Sequence, residues 1–170
     1  GTKQTVTMLE GLIRRLEEKK YDLGFDSETQ MKATFQGFGL HNRIQSAAHQ
    51  LYLDSHYSSA VFNASMALIN FVKEKSGEFN LDGSKLMMRV FSKNSPILVF
   101  NDMSDQTDMD EQEGMMHLFM GVTLGIRNPR GHSILDDEPQ RALECLVLIS
   151  HLVAIVGLGI QGQHLCLLAG

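Results

Sequence analysis

Residues 117–132 read HLFMGVTLGIRNPRGH, a helical pattern followed directly by a compact polar cluster. The residues of one face recur at steps of three or four, which is the periodicity of a helix with one buried side. They are Met116, Phe119, Met120, Thr123 and Leu124. Proline lacks a backbone N–H and disfavours helical geometry in the residue before it, so Pro129 is expected to end this helix. The sequence therefore predicts a helix from Asp110 to Arg127 with a polar cluster at its end.

Helical periodicity continues on both sides of this stretch. Asn42–Asp54 and Tyr57–Lys75 each carry one apolar face, and the short junction between them predicts an antiparallel helical hairpin. A shorter helix is expected through Phe91, and a last one from Pro139 to about Val156. Strand-like alternation is confined to Ile97–Phe100. The fold class predicted is all-α, an antiparallel helical bundle.

The two ends of the chain differ in character from this bundle. Thr5–Tyr21 has apolar residues at helical steps among charged ones, which predicts an amphipathic helical arm. The glycines and scattered polar residues of 23–40 indicate a connector. We therefore expect an arm and connector over 1–40, a helical domain over 41–156, and a glycine-rich tail over 157–170.

Composition limits the class of protein. With 170 residues and 43% hydrophobic content, the chain is expected to form one globular domain. A net charge of −5 argues against a protein that coats DNA nonspecifically, although it leaves room for a local basic site. Four aspartates lie in Asn101–Asp110, which is expected to be an exposed loop. Cys145 and Cys166 are too few for a disulfide framework, and a reducing cytoplasm is the expected compartment.

No metal, cofactor or membrane span is expected. His49 and His56 lack a cysteine or carboxylate at ligand spacing, and the two cysteines cannot form a four-ligand zinc site. Residues 145–160 are apolar but shorter than the roughly 20 residues of a spanning helix, and Ser150 and His151 interrupt them. A buried core helix or a dimer face is the favoured interpretation of that segment.

The polar cluster brings together two guanidinium groups, a carboxamide and an imidazole, in Arg127, Asn128, Arg130 and His132. Arginine stays charged and offers a forked set of donors that match phosphate oxygens. Histidine titrates near neutrality and can move the proton of an attacking or leaving hydroxyl. These groups are suited to cleaving RNA without a metal. We expect Arg127 and His132 to be catalytic and Arg130 to bind a substrate phosphate.

A purely structural role fits the same residues. A basic side chain near the end of a helix interacts favourably with the helix dipole, and Asn before Pro commonly starts a turn. A histidine in a loop is often just solvated. Composition alone leaves both interpretations open.

Three segments together resemble a known family. They are the small-residue helix YSSAVFNASMALINFVKEKSG, the segment DGSKLMMRVF, and HLFMGVTLGI followed by RNPRGH. They resemble the Ymh-type branch of the HEPN superfamily over about Leu40–Val156. The hallmark of that superfamily is an Arg, an adjacent polar residue and a His after a short spacer, which Arg127, Asn128 and His132 match.

The resemblance implies an all-helical bundle that forms a homodimer with its two motifs facing each other. It further implies a metal-independent ribonuclease of antiphage defence or toxin–antitoxin systems, with an antitoxin or regulatory protein as a partner. By analogy Arg127 and His132 would be catalytic and Asn128 would assist. Many such domains have lost activity, so the alternative is a catalytically silent module that binds RNA, a nucleotide or a protein.

Overall fold

The computed structural model describes residues 2–22, 27–132 and 136–161. The helices are α1 Thr2–Asp22, α2 Ser27–Gly37, α3 Asn42–Leu53, α4 Tyr57–Ser76, α5 Gly83–Phe91, α6 Gln106–Gly121, α7 Asn128–His132 and α8 Pro139–Leu158, with a π-helical segment, Val122–Arg127, between α6 and α7. Two short strands, β1 Leu98–Val99 and β2 Ile160–Gln161, pair antiparallel. The all-α prediction is confirmed.

The chain forms two compact units, residues 1–38 and 39–170. The first contains α1, whose predicted helicity is confirmed, and α2. Because α2 lies inside 23–40, the expected connector is wrong over Ser27–Gly37. Glu28, Met31 and Ala33 are good helix formers, and their propensity outweighs the glycine content that suggested irregular structure.

The core of the second unit is built from α3, α4 and α8, which pack against one another. Residues 54–56 connect α3 to α4, so the predicted hairpin is confirmed. The Tyr52 hydroxyl donates to the Pro139 carbonyl oxygen at 2.9 Å and fastens the start of α8 to α3. The backbone N–H of His41 donates to the Ser150 hydroxyl oxygen at 2.8 Å, further along α8. These bonds fix the central helices of the unit.

Helix α8 is long and apolar enough to cross a bilayer by length and composition. In the folded chain one side of it is buried in the core against α3 and α4. The buried residues are Ala142, Leu143, Leu146, Ile149, Ser150, Leu152, Val153 and Val156. This is the arrangement of a core helix, as the interruption at Ser150 and His151 suggested.

The acidic segment is only partly a loop. Helix α6 begins at Gln106, so the prediction of a loop through Asp110 is wrong for its second half. The Asp105 carboxylate caps α6 by accepting from the Asp108 backbone N–H at 3.0 Å. The Asp108 carboxylate accepts from the backbone N–H and hydroxyl of Ser104, both at 2.9 Å, and these bonds lower its pKa. The aspartates therefore start the helix.

Pro129 does not end the penultimate helix. The helix continues from α6 through the π-helical segment into α7 and ends at His132, so the predicted end at Arg127 is wrong. In an α-helix the ring of Pro129 would clash with the carbonyl of Gly125, four residues earlier. The wider π turn accommodates it, and the Asn128 N–H bonds to the Thr123 carbonyl oxygen, five residues back.

Candidate functional site

The π-helical segment and α7 carry the sequence-predicted site residues. Arg127 is the last residue of the π-helical segment, and Asn128–His132 form the final helical turn. The candidate residues thus lie on a helix rather than in a loop. Asn128 and His132 are four residues apart within α7, so they lie on the same helical face.

Arg127 is held by one residue of its own helix and one of α4. Its Nη1 donates to the Asn128 Oδ1 at 3.0 Å, which fixes both side chains. Its guanidinium lies 5.6 Å from the centre of the Phe62 ring on α4, within the range of a cation–π contact. The side chain is 21% exposed, and its buried Nε finds no hydrogen-bond acceptor among the described residues. Arg127 is therefore held in place while most of its donors remain unspent.

Gly131 lets α7 approach α4 closely. A Cβ atom at this position would lie 3.1 Å from Cε2 of Phe62, tighter than an ordinary van der Waals contact. The same ring faces the Arg127 guanidinium. Phe62 thus links the glycine of the motif to its arginine, and the absence of a side chain at Gly131 sets where the ring lies.

Asp82 and Lys73 complete the surroundings of Arg127. The Asp82 Oδ1 lies 3.0 Å from the Lys73 Nζ on α4, and its Oδ2 lies 4.0 Å from Nη2 of Arg127. Asp82 holds the N-cap position of α5, yet its side chain makes no cap hydrogen bond. Its carboxylate is directed toward the two cations instead.

The structure places Arg130 away from solvent. Its Nε and Nη2 donate to the two carboxylate oxygens of Asp137 at 2.6 and 2.8 Å, and its Nη1 donates to the Ile126 carbonyl oxygen at 2.8 Å. The side chains of the pair are 3% and 4% exposed. This arrangement does not fit the expected phosphate contact, because the donors of Arg130 are already engaged inside the protein. Arg130 instead joins α7 to Asp137, which lies shortly before α8.

His132 is exposed at the end of α7, and its imidazole makes no hydrogen bond within the described part of the chain. Arg127 and Asn128 are therefore joined by a direct hydrogen bond, and His132 lies on the same helical face as Asn128. It separates Arg130 from this group by burying it against Asp137.

Sequence reasoning missed Phe62, Lys73, Asp82 and Asp137. Phe62 on α4 and Asp82 at the start of α5 lie against Arg127, and Lys73 is paired with Asp82, so only the tertiary fold brings them together. A signal existed for Asp82, since it opens the DGSKLMMRVF segment that carried the family resemblance. Asp137 gave no such signal, because nothing in the sequence indicates which acidic residue pairs with Arg130.

The structure gives little support for a metal site or a cysteine nucleophile near the motif. Among the described ranges, no group of three or more His, Cys, Asp or Glu side chains could hold a metal ion. Cys145 lies within electrostatic range of Arg130 and Asp137, and burial raises the pKa of its thiol despite the opposing effect of Arg130. At neutral pH the thiol therefore stays protonated, which makes it a poor nucleophile.

An exposed face of α6 and the π-helical segment leads toward the motif. It combines glycines with large apolar side chains that are half exposed, Leu118 at 50% and Leu124 at 51%. Its exposed members are Gly114, His117, Leu118, Gly121, Leu124 and Gly125. We call this the glycine–leucine face. Small residues allow a second helix to approach closely, and exposed leucines favour a partner that covers them.

Comparison with known proteins gives one match. A family model described as a protein of unknown function, Hypoth_ymh, matches residues 38–156. No curated protein matches the chain. No solved structure matches it either. The Ymh part of the predicted resemblance is confirmed, and the HEPN assignment stays a prediction.

Proposed function

The chain belongs to the Hypoth_ymh family, and we propose that it is a HEPN-like, metal-independent RNA endonuclease with a composite site in a homodimer. By the same resemblance, its biological role is antiphage defence or a toxin–antitoxin system. The proposal assigns catalysis to Arg127 and His132, and the orientation of Arg127 to Asn128. The proposal assigns Arg130 a structural role.

The observation that carries the proposal is the state of Arg127. A guanidinium has five N–H donors, and here one is used by Asn128 while the buried Nε has no acceptor among the described residues. Leaving a buried donor unsatisfied costs about 1–3 kcal/mol. A phosphate would supply several acceptor oxygens at once. An arginine fixed by Asn128 and Phe62 with spare donors is suited to bind a phosphoryl group that gains charge in the transition state.

The proposed reaction uses the substrate's own nucleophile. The ribose 2′-oxygen forms a bond to the adjacent phosphorus as the bond from phosphorus to the 5′-oxygen breaks. One His132 accepts the proton of the 2′-hydroxyl, and a second donates a proton to the departing 5′-oxygen. The products are a 2′,3′-cyclic phosphate and a 5′-hydroxyl, so atoms and charge balance. Acid–base assistance of this kind contributes about 10²–10⁴-fold in rate.

A homodimer would provide the two histidines. The glycine–leucine face lies on the same continuous helix as Arg127 and His132, immediately before them. Pairing two copies through this face would cover the half-exposed Leu118 and Leu124 and bring the two motifs near the same seam. This supports a second copy of the chain as the occupant of the face.

The proposal is tested by incubating the protein with mixed RNAs in excess chelator and comparing variants. We expect cleavage by the wild type, with a new 2′,3′-cyclic phosphate end, and its loss in Arg127→Ala and His132→Ala. Arg89→Ala and His151→Ala are matched controls, because both change exposed residues outside the cluster and outside the glycine–leucine face. RNA bound without any cleavage would favour the silent binding module instead. Cleavage that survives both motif substitutions would contradict the assigned site.

A further inference from the structure

Two cations of the second unit converge on one carboxylate beside the motif. Lys73 lies 3.0 Å from one oxygen of Asp82, and Arg127 lies 4.0 Å from the other. The latter distance is too long for a hydrogen bond, so Asp82 satisfies Lys73 more fully than Arg127. The pair of cations therefore retains an excess positive charge and unspent donors.

The neighbouring acidic group does not cancel this excess. Glu74 follows Lys73 on α4, but its carboxylate is bound to Arg43 through two contacts of 2.6 and 3.2 Å. Asn128 contributes a neutral oxygen to Arg127. Asp82 is thus the carboxylate that faces both cations in the described part of the chain.

Asp82 is also the most accessible member of the group. Its side chain is 52% exposed, whereas those of Lys73 and Arg127 are each 21% exposed. Its carboxylate makes no cap bond to α5, although Asp at an N-cap position commonly gains about 1 kcal/mol from one. The exposed carboxylate can turn away from the cations without uncovering the core, while Lys73 and Arg127 stay in place.

We infer that Lys73 is a substrate-binding residue that contacts an RNA backbone phosphate next to the one held by Arg127, and that Asp82 is a positioning residue with which this phosphate competes. The inference rests on the proposed function for its substrate class, RNA. In the free protein Asp82 is paired with Lys73 at 3.0 Å and lies 4.0 Å from Arg127. On binding, an RNA phosphate takes over the pairing with Lys73.

Substitutions of the two partners of this ion pair should therefore change RNA affinity in opposite directions. Lys73→Met removes a phosphate contact, so RNA affinity should fall roughly tenfold, and the slope of log affinity against log salt should decrease by about 0.7 for single-stranded RNA. Asp82→Asn removes the competing carboxylate, so affinity should rise roughly three- to tenfold. A purely structural ion pair would give the two variants the same sign of effect.

The experiment measures binding separately from cleavage. The full chain is titrated by fluorescence anisotropy into a labelled 2′-O-methyl RNA pool, which lacks the attacking hydroxyl and cannot be cut. Lys93→Met and Glu113→Gln serve as matched controls, since they remove the same charges from an exposed ion pair of 2.5 Å elsewhere. The controls account for the change in net charge, and thermal melting of each variant establishes that it is folded.

The outcomes separate this inference from the proposed activity. Opposite shifts for Lys73→Met and Asp82→Asn, with small shifts in the controls, support the phosphate contact even if unmodified RNA is not cleaved in a parallel assay. Equal or same-sign shifts overturn the inference, even if the wild type cleaves RNA. Absence of binding by the folded wild type at low salt also overturns it.

Discussion

The Arg130 guanidinium forms two parallel hydrogen bonds with the Asp137 carboxylate, at 2.6 and 2.8 Å, and both side chains of this pair are buried. The basic residue that sequence suggested for substrate binding thus joins the end of α7 to the approach of α8. Arg127 and Arg130 are three residues apart, yet Arg127 keeps most of its donors spare, whereas each of the three side-chain nitrogens of Arg130 donates to an acceptor inside the protein. Their chemical difference comes entirely from their surroundings.

Asp137→Ala should destabilise the protein strongly. It leaves a guanidinium that is 3% exposed without its counter-charge, and breaking a buried pair in this way costs about 3–5 kcal/mol. Urea denaturation followed by circular dichroism would measure the loss. Glu74→Ala breaks the Arg43–Glu74 pair, which is exposed, and should cost at most about 1 kcal/mol. Equal losses for the two variants would mean that the Arg130–Asp137 pair is not buried in solution.

Gln112→Met should lower the free energy of unfolding by an amount similar to that of Asp137→Ala. The Gln112 side chain is completely buried and donates to the carbonyl oxygens of Phe91 and Leu98, both at 3.0 Å. It also accepts from the backbone N–H of Phe100 at 3.1 Å. Methionine is similar in shape but leaves these backbone groups unpaired, so we expect a loss of about 3–5 kcal/mol in chemical denaturation.

The control for Gln112 is Gln50→Met. Gln50 is exposed and bonds to the Asp54 carboxylate on the surface of α3, so its replacement should change the free energy of unfolding by about 0.5 kcal/mol or less. If Gln112→Met were as mild as this control, water would have to reach the connection between α5 and β1.

The helices that sequence predicted well are those whose apolar faces have a clear period. Helices α3, α4 and α8 bury one face each against one another, so burial follows the helical repeat. Helix α2 and the first turn of α6 were missed, because glycines and aspartates suggested loops. In α6 one of those aspartates, Asp105, caps the helix, a role that depends on backbone geometry that composition does not reveal.

The site was predictable only in part, for a similar reason. The residue types of Arg127, Asn128 and His132 suggested phosphate chemistry, but the rule that proline ends a helix assumes α geometry. A π turn before Pro129 removes the clash, so the cluster lies on a helix. Lys73 and Asp82 come to Arg127 from other elements, and only tertiary contacts bring them there.

Tyr52 should make stability depend on alkaline pH. Burial, with a smaller contribution from Tyr57, raises the pKa of Tyr52 from 10 to about 12 in the folded protein. A raised pKa means that the folded state keeps the proton more tightly, so the stabilisation is complete below about pH 10 and is lost as pH rises toward 12. The loss should reach about 2–3 kcal/mol, since one pKa unit corresponds to about 1.4 kcal/mol.

The measurement compares the wild type with Tyr52→Phe. The variant has no phenol to ionise, so the difference in unfolding free energy between the two proteins should shrink above pH 10 and change sign toward pH 12. At neutral pH the variant should be less stable by about 1–2 kcal/mol, because the Pro139 carbonyl loses its donor. A difference that stays constant across this pH range would show that Tyr52 ionises at its ordinary pKa.

Leu124→Glu should separate the proposed dimer into monomers. Leu124 is 51% exposed on the glycine–leucine face, so a glutamate there would be hydrated in a monomer. In a symmetric dimer the two glutamates would be buried close together as like charges. Light scattering coupled to size exclusion would report the mass, and the chelator assay would report cleavage. We expect a folded monomer with no RNA cleavage, because each protomer would hold half of the site.

Met88→Glu tests whether the loss of the dimer in Leu124→Glu is specific to the glycine–leucine face. Met88 is also 51% exposed, but it lies on α5, outside the glycine–leucine face, so its replacement adds the same charge at equal exposure. It should leave the dimer and the cleavage rate intact. If Leu124→Glu remained a dimer, the seam would lie elsewhere on the molecule. If it became a monomer that still cut RNA, Arg127 and His132 of one chain would be sufficient, and the composite site would be wrong.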